Sequence, residues 1–139
     1  MNFSEDFIRE IVEKAVRGQG TVEKKKDGSG VLAVKTDTVV CEPFKQPGVA
    51  VKDIVTLEEA PRIGAGVMEL KETDFEWTLS YDEFDMVIEG ELEIVTKEGV
   101  IRGKKGDILY IPKGSHIHFR TPSYARFAYF VYPADWQKN

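Results

Sequence analysis

Two carboxylates stand two residues apart in a regularly alternating stretch of the chain. Glu83 and Asp85 follow Tyr81 and precede Val87 at every second position. In a β-strand, residues at this spacing share one face, so we predict that Tyr81, Glu83 and Asp85 share a wall. If that wall faces the interior, it forms an oxygen-rich pocket, and Mg²⁺ and Mn²⁺ prefer oxygen ligands. Glu76 could line the same pocket, whereas a bulge would instead turn Asp85 toward solvent.

The two histidines of the chain alternate with apolar residues in a second strand-like stretch. His116 and His118 are separated by Ile117 and followed by Phe119. One pair faces the interior and the other faces outward, and a one-residue bulge after Gly114 would exchange the two. An inward His116 could contact a metal or a substrate, whereas an outward one would be a hydrogen-bonded structural residue. Both interpretations stay open at this point.

Alternating apolar and polar runs, separated by turn residues, occupy most of the chain after residue 30. Glu89-Gly90 and Lys97-Glu98-Gly99 are predicted to be tight turns, because glycine accepts the positive φ that such turns need. Many short strands at such spacing predict an all-β sandwich or barrel. The predicted strands cover residues 31–35, 38–41, 49–55, 66–71, 75–81, 84–88, 92–96, 100–102, 107–111, 116–120 and 126–132.

The first thirty residues follow a different pattern. Residues 4–17 are predicted to form a helix, with Ser4 as its N-cap and an apolar stripe at helical spacing. Residues 19–30 are polar and rich in glycine, which is typical of a linker. We therefore divide the chain into an amphipathic helix with a flexible linker (1–30) and a β-barrel (31–139). The helix docks either on the body or dimer partner of this protein or on a different protein.

Composition limits the classes of function that are open to the chain. Its 139 residues suffice for one domain with a sizeable core. A formal net charge of −5 argues against nucleic acid or an anionic membrane surface as a partner, and no apolar run reaches the length of a membrane span. The single cysteine, Cys41, excludes an intrachain disulfide, and we expect it to be a buried strand residue. We expect a cytosolic protein.

Two motifs of the chain resemble the signatures of the cupin superfamily. The first runs from Glu83 to Gly90, and the second runs from Gly106 through Pro112 and Gly114. The resemblance implies the double-stranded β-helix, or jelly-roll barrel, with Glu83 directed inward. Cupins of the iron type carry two further histidines in the first motif and one in the second. Here those places fall on Glu76 and Thr78, or on Trp77 and Leu79, and then on Ile117, so the resemblance does not extend to the three-histidine site.

The chain further resembles the ethanolamine-utilisation EutQ family. The residues that carry this resemblance are Trp77 to Glu83, Tyr110 to Ile117 and Phe130 to Trp136. The resemblance implies ethanolamine catabolism in, or associated with, a bacterial microcompartment. It also implies acetate kinase activity, which is reversible phosphoryl transfer between ATP and acetate, with a divalent metal that we expect to be Mg²⁺ or Mn²⁺. The predicted helix of residues 4–17 would then bind shell or cargo proteins.

The implied activity gives the candidate residues specific roles. Glu83 would be the carboxylate on the metal side, with Glu76 or Asp85 as its partner. Tyr81 and His116 would position acetate or phosphate. The sequence contains no Gly-x4-Gly-Lys-Ser/Thr phosphate loop, so the nucleotide site itself stays unassigned.

Two other functions are compatible with the same residues. One is a non-catalytic cupin that binds a small polar ligand or bridges shell and cargo. The other is an isomerase that uses His116 and Glu83 for acid–base chemistry. For all of these functions, acetate kinase included, we expect a homodimer, because cupins commonly dimerise and the aromatic-rich stretch of residues 127–132 is compatible with a contact between two copies.

Overall fold

The computed structural model describes residues 22–138, and the backbone in this range is almost entirely strand, turn and loop. The predicted helix of residues 4–17 lies outside the described range. Within it, two short 3-10 helices occupy Thr36–Thr38 and Trp136–Lys138. The strands are β1 (Lys24–Lys26), β2 (Leu32–Val34), β3 (Glu42–Pro43), β4 (Val49–Asp53), β5 (Gly64–Thr78), β6 (Asp82–Thr96), β7 (Gly99–Lys104), β8 (Ile108–Ile111) and β9 (His116–Tyr132). The prediction of an all-β chain from residue 31 onward is confirmed.

The chain divides into two compact units between Val40 and Cys41. In the first unit, β1 and β2 pair antiparallel as a small hairpin. The Asp27 side chain accepts a hydrogen bond from the Ser29 backbone N–H at 2.8 Å, which stabilises the turn between the two strands. Part of the stretch assigned to a linker therefore forms a strand.

The second unit is one seven-stranded sheet with the strand order β3-β4-β5-β9-β6-β7, and β8 pairs with β6. The architecture depends on three long strands, of which β9 lies between β5 and β6 along most of its length. Each of these long strands joins two segments that the sequence analysis separated. The hydrophobic alternation was therefore identified correctly, but its interruptions are bulges within strands rather than ends of strands.

Gly90 shows why the tight turn predicted at Glu89-Gly90 is wrong. It lies inside β6 at φ 78°, beside an irregularity in the pairing of β6 with β9. A Cβ atom at this position would overlap the backbone carbonyl of Tyr124. A bulge with a close backbone approach needs glycine as much as a hairpin turn does, so the residue type alone does not distinguish the two. The turn predicted at Lys97-Glu98-Gly99 is confirmed by the pairing of Thr96 with Gly99.

The strand predicted for residues 38–41 is also wrong. The 3-10 helix Thr36–Thr38 ends there, and the next strand begins at Glu42. Cys41 is half-buried rather than part of a strand. Burial, with the negative charge of Glu69 nearby, raises the pKa of the Cys41 thiol to about 12, so the thiol stays protonated and unreactive at neutral pH.

The hydrophobic core lies on one face of the sheet of the second unit. Three phenylalanines form its centre, with ring centroids 5.3 Å apart for Phe75 and Phe119 and 6.0 Å apart for Phe119 and Phe127. Phe127 is fully buried, and burying a side chain of this kind contributes about 1.5–3 kcal/mol. This core holds the inner faces of β5, β6 and β9 together, and β6 carries the acidic pair. None of the helices in residues 22–138 has the length and apolar character needed to cross a membrane.

Candidate functional site

The two carboxylates predicted to share a wall both lie on the inner face of β6. Glu83 pairs with Val131 of β9, and Asp85 pairs with Tyr129 of the same strand. Glu83 is 5% exposed and Asp85 is 0% exposed. Tyr81, which precedes the strand by one residue, is also buried. The inward orientation is therefore the one present, and the alternative in which Asp85 faces solvent is wrong.

Asp85 is a buried acid whose side-chain neighbour is a second acid, Glu83. Neither of its carboxylate oxygens makes a hydrogen bond of ordinary geometry with any group in residues 22–138. Burial raises the pKa of Asp85 well above its ordinary value, and the adjacent Glu83 raises it further. Burial also raises the pKa of Glu83. A carboxylate in this setting either keeps a proton at neutral pH or requires a cation beside it.

Tyr129 lies opposite Asp85 but does not donate a hydrogen bond to it. The Tyr129 hydroxyl donates to Asp53 Oδ1 at 2.6 Å, and burial together with this hydrogen bond raises the pKa of the Tyr129 phenol. The ring crosses Gly66 of β5, where any Cβ would overlap the phenol oxygen. Glycine at this position thus lets Tyr129 reach Asp53. The Tyr129 hydroxyl, although its residue pairs with Asp85, donates its hydrogen bond to Asp53 instead.

Aromatic rings cover the Tyr81 end of the acidic wall. Trp77 Nε1 donates to the Tyr81 hydroxyl oxygen at 2.8 Å. The Trp136 ring lies 4.6 Å from the Tyr81 ring and 6.4 Å from the Trp77 ring, and Phe44 adds an edge contact to Trp77 at 6.4 Å. Burial and the negative charge of Glu83 raise the pKa of Tyr81, so its hydroxyl keeps its proton. We call Phe44, Trp77, Tyr81 and Trp136 the aromatic cover.

Trp136 was not among the candidate site residues that the sequence suggested. It begins the last 3-10 helix and reaches the cover from beyond the end of β9. The sequence feature that could have identified it is a large aromatic residue in an otherwise polar segment after residue 133. Its contact with Tyr81 joins residues that are far apart in the chain, and no local pattern predicts such a contact.

Both histidines lie on the outer face of the sheet. Ile117 and Phe119 are buried, so the register without a bulge is the one present. His116 Nε2 lies 2.7 Å from Glu76 Oε1, and both side chains are more than half exposed. His118 Nδ1 lies 2.6 Å from Asp74 Oδ1. The structure therefore does not bring His116 together with Tyr81 and Glu83 on the inner wall.

The predicted group Glu83, Glu76 and Asp85 is divided between the two faces of the sheet. Trp77 of β5 pairs with the buried Ile117 and points inward, so its neighbour Glu76 points outward. The prediction that Glu76 lines the inner wall is wrong for this reason. Within residues 22–138, no group of three or more His, Cys, Asp or Glu side chains is arranged to hold a metal ion. Of the three carboxylates predicted to bind a metal, only Glu83 and Asp85 lie on the inner wall.

Comparison with known proteins identifies the family. The family described as ethanolamine utilisation protein EutQ matches residues 2–138. The chain belongs to the EutQ family. A EutQ protein of Clostridioides difficile strain 630, named acetate kinase EutQ, is 46% identical over 145 residues, covering 97% of this chain and 92% of the relative. The protein of the same name from Salmonella typhimurium is 35% identical over 97% of this chain and 64% of its own length.

Solved structures of EutQ proteins share the fold. The EutQ protein of Clostridium difficile is 45% identical, with a TM-score of 0.80 over 85% of this chain and 91% of that one. The ethanolamine utilisation protein of Salmonella typhimurium is 36% identical, with a TM-score of 0.77 over 82% of this chain and 95% of that one. A cupin domain of an Enterobacter cloacae transcriptional regulator is 16% identical, with a TM-score of 0.55 over 61% of this chain and 96% of that one. It shows the cupin fold alone.

Proposed function

We propose that this EutQ protein is an acetate kinase of ethanolamine utilisation. The observation that carries the proposal is the 46% identity, over nearly the whole of both chains, to a protein named acetate kinase EutQ. In the reaction a carboxylate oxygen of acetate attacks the γ-phosphorus of ATP, the bond to the β-phosphate oxygen breaks, and ADP leaves. Catalysis of this kind depends on positioning and on neutralising the phosphate charge.

The inner wall supplies part of what that chemistry requires. Mg²⁺ in nucleotide sites is held by one or two carboxylates together with substrate phosphates and water. Glu83 and Asp85 fit this role for a metal that arrives with ATP, provided that the pair gives up its proton. The ion would neutralise phosphate charge when bound. Because the pair is closed to solvent, the side chains packed around it must move before either residue meets a substrate.

Tyr81 is suited to hold the carboxylate substrate. Its oxygen accepts the Trp77 N–H, and its own O–H is left to donate to an acetate oxygen. The raised pKa of Tyr81 keeps that proton in place at neutral pH. We do not propose a contact between His116 and acetate, because His116 lies on the opposite face of the sheet, where it pairs with Glu76.

An assay of acetyl phosphate tests the proposal. Purified protein with acetate, ATP and Mg²⁺ should form acetyl phosphate, which is trapped as the hydroxamate. Glu83→Gln should lower the rate about 100-fold or more, the usual cost of removing a group that stabilises transition-state charge. His118→Gln, on the outer face, is the matched control and should retain the rate. A wild type without activity, or a Glu83→Gln variant with full activity and a native circular dichroism spectrum, would refute the kinase proposal.

A non-catalytic cupin is the second candidate function. Two observations favour it: the acidic pair is covered in the described structure, and the sequence has no phosphate-binding glycine loop. In that case a small polar ligand would occupy the inner wall, and no acetyl phosphate would form under any metal condition.

We further propose that the protein acts with a bacterial microcompartment and that residues 4–17 bind a shell or cargo protein. The support is the family membership and the amphipathic pattern of the sequence. Deletion of residues 1–20 should abolish entry of a fluorescent fusion into compartments and leave the melting temperature of the remainder unchanged. A truncated protein that still enters, or that loses thermal stability, would refute this role for the helix.

A further inference from the structure

The inner wall combines two features that the kinase proposal does not explain. One is the fully buried Asp85, whose two oxygens make no hydrogen bond of ordinary geometry in the described part of the chain and whose carboxyl group interacts with that of Glu83. The other is the set of stacked aromatic rings at the Tyr81 end of the same wall. Glu83 lies between Tyr81 and Asp85 along the chain, and its carboxyl group interacts with that of Asp85. We propose that this wall is a binding site for a small primary ammonium ion.

The charge of the site favours a cation. Glu83 and Asp85 are two buried acids side by side, and within residues 22–138 no basic side chain forms an ion pair with either. By contrast, the other acid buried to this degree, Glu93, is bound by the two guanidinium groups of Arg102 and Arg120 at 2.8 Å. The inner acids are therefore the pair that an added positive charge would stabilise.

When no nucleotide supplies further oxygen ligands, the chemistry of the inner wall favours an ammonium group over a metal ion. Mg²⁺ demands six oxygen ligands in near-octahedral geometry and gives up water reluctantly. The wall offers two carboxylates, and the surfaces around them are largely apolar and aromatic. A primary ammonium has three N–H donors, and the two oxygens of Asp85 are acceptors that make no hydrogen bond of ordinary geometry within residues 22–138. A quaternary ammonium has no N–H to donate and would leave those oxygens unsatisfied.

The aromatic cover suits the carbon chain of such a ligand. Aromatic faces attract a cation within about 6 Å and pack against its carbon chain. Trp77 and Tyr81 provide these faces on the wall itself, and Trp136 closes over both. Because the Trp136 ring packs against Tyr81 and Trp77, a ligand that takes its place on these two rings must displace it. That displacement breaks no strand pair, because the ring belongs to the short helix after β9 and the closest backbone anchor is the bond from Ala134 N–H to the Arg62 carbonyl at 2.9 Å.

The site uses Glu83, which also serves the proposed phosphoryl transfer, so the ammonium ion would compete with the metal–ATP complex. The inference does not depend on the kinase proposal. If the protein forms acetyl phosphate but binds no ammonium ion, the kinase proposal holds and this inference fails. If the protein binds an ammonium ion but forms no acetyl phosphate, this inference holds and the kinase proposal fails.

Titration of the full chain with ethanolamine, followed by tryptophan fluorescence and calorimetry, tests the site. Ethanolamine carries one primary ammonium on a two-carbon chain. Ethylene glycol has the same size without the charge, tetramethylammonium has the charge without N–H donors, and sodium chloride controls for ionic strength. We expect saturable binding of ethanolamine, at least tenfold weaker binding of tetramethylammonium, and no saturable signal from ethylene glycol or salt.

Three variants assign the binding to the wall. Asp85→Asn should weaken ethanolamine binding at least tenfold without lowering the melting temperature, which separates loss of the site from loss of the fold. Trp136→Leu should weaken binding several-fold, and the outer-face variant His118→Gln should bind as the wild type does. The inference is overturned if ethanolamine does not bind, if Asp85→Asn binds it unchanged, or if ethylene glycol, tetramethylammonium or sodium chloride reproduces its effect.

Discussion

Asp85 is the residue on which the interpretation of this site depends most. It is fully buried, its oxygens make no hydrogen bond of ordinary geometry in the described structure, and the group beside it is another acid, Glu83. An arrangement of this kind lowers the stability of the folded protein, because burying an unsatisfied polar group costs about 1–3 kcal/mol. Such sites persist where the group has a task, and here the task that fits is holding a cation.

The raised pKa of Asp85 predicts how stability depends on pH. Below about pH 3.9 the carboxyl is protonated in both the folded and unfolded states. Above that pH the unfolded state loses the proton while the folded state retains it, so the free energy of unfolding falls with rising pH until the raised folded pKa is passed. In Asp85→Asn this fall should be reduced, and the variant should melt several degrees above the wild type at pH 8. Thermal melts from pH 4 to pH 9 measure the effect, and a variant that is less stable at pH 8 would contradict it.

Gly66 leads to a second prediction about a single residue. A methyl group there would occupy the place of the Tyr129 phenol oxygen, so Gly66→Ala must displace the ring and weaken its bond to Asp53. We expect a loss of about 1–3 kcal/mol in the free energy of unfolding, the range for overpacking a core. Gly28→Ala is the control, since no atom lies within 4 Å of its added Cβ. Denaturant unfolding compares the two, and equal stabilities would show that the ring moves freely.

At the scale of the strands, Glu93 links three elements. It lies on β6 and accepts hydrogen bonds from Arg102 of β7 and Arg120 of β9, each at 2.8 Å. The guanidinium of Arg120, together with that of Arg102, holds the pKa of Glu93 below its usual range. Glu93 is covered mainly by these two side chains, which are themselves in contact with water, so the stabilisation is smaller than that of a buried ion pair.

The lowered pKa of Glu93 predicts an effect of opposite sign to that of Asp85. Its contribution to stability is present above the ordinary glutamate pKa and is lost as the pH falls through the lowered folded value. Glu93→Gln should therefore cost about 1 kcal/mol or less at pH 7, and the cost should be smaller near pH 3. Urea unfolding at both pH values tests this, with Glu98→Gln in the exposed turn as control. A constant cost at both pH values would mean that the charge of Glu93 contributes nothing.

At the scale of the whole molecule, the outer face of β6, β8 and β9 is the surface that most requires a partner. Apolar side chains between 40% and 65% exposed lie side by side on it, and Phe84 packs on Tyr110 with ring centroids 4.8 Å apart. Its members are Phe84, Met86, Ile108, Tyr110, Phe130 and Tyr132. Together they expose roughly 600 Å² on the usual areas of such side chains, close to the roughly 800 Å² per partner of a stable interface.

A second copy of this chain fits that face, because an apolar surface without charged groups at its centre can match itself across a two-fold axis. We expect a homodimer, with a mass by light scattering about twice the 15.7 kDa of one chain. Phe84→Glu should yield monomers, because dimerisation would bury its charge. Ile101→Glu, at an apolar position of β7 that is 64% exposed against 51% for Phe84, should stay dimeric. A monomeric wild type would contradict the prediction.

The sequence by itself determined the alternation and, through it, that Tyr81, Glu83 and Asp85 share one face, because a period of two depends only on local backbone geometry. It also determined the all-β class and the family. It did not distinguish a bulge from a turn at Gly90, since both require glycine, and it did not place Glu76 relative to Glu83.

Only the tertiary structure decided the environment of the acidic pair. Tyr129 reaches Asp53 across Gly66 and so leaves Asp85 without a donor, and Trp136 arrives from the far end of the chain to cover Tyr81. These contacts join residues up to 76 positions apart. Burial, partners and charge at a site are properties of packed neighbours, and the identity of those neighbours is set by how strands meet in space rather than by the residues on either side in the chain.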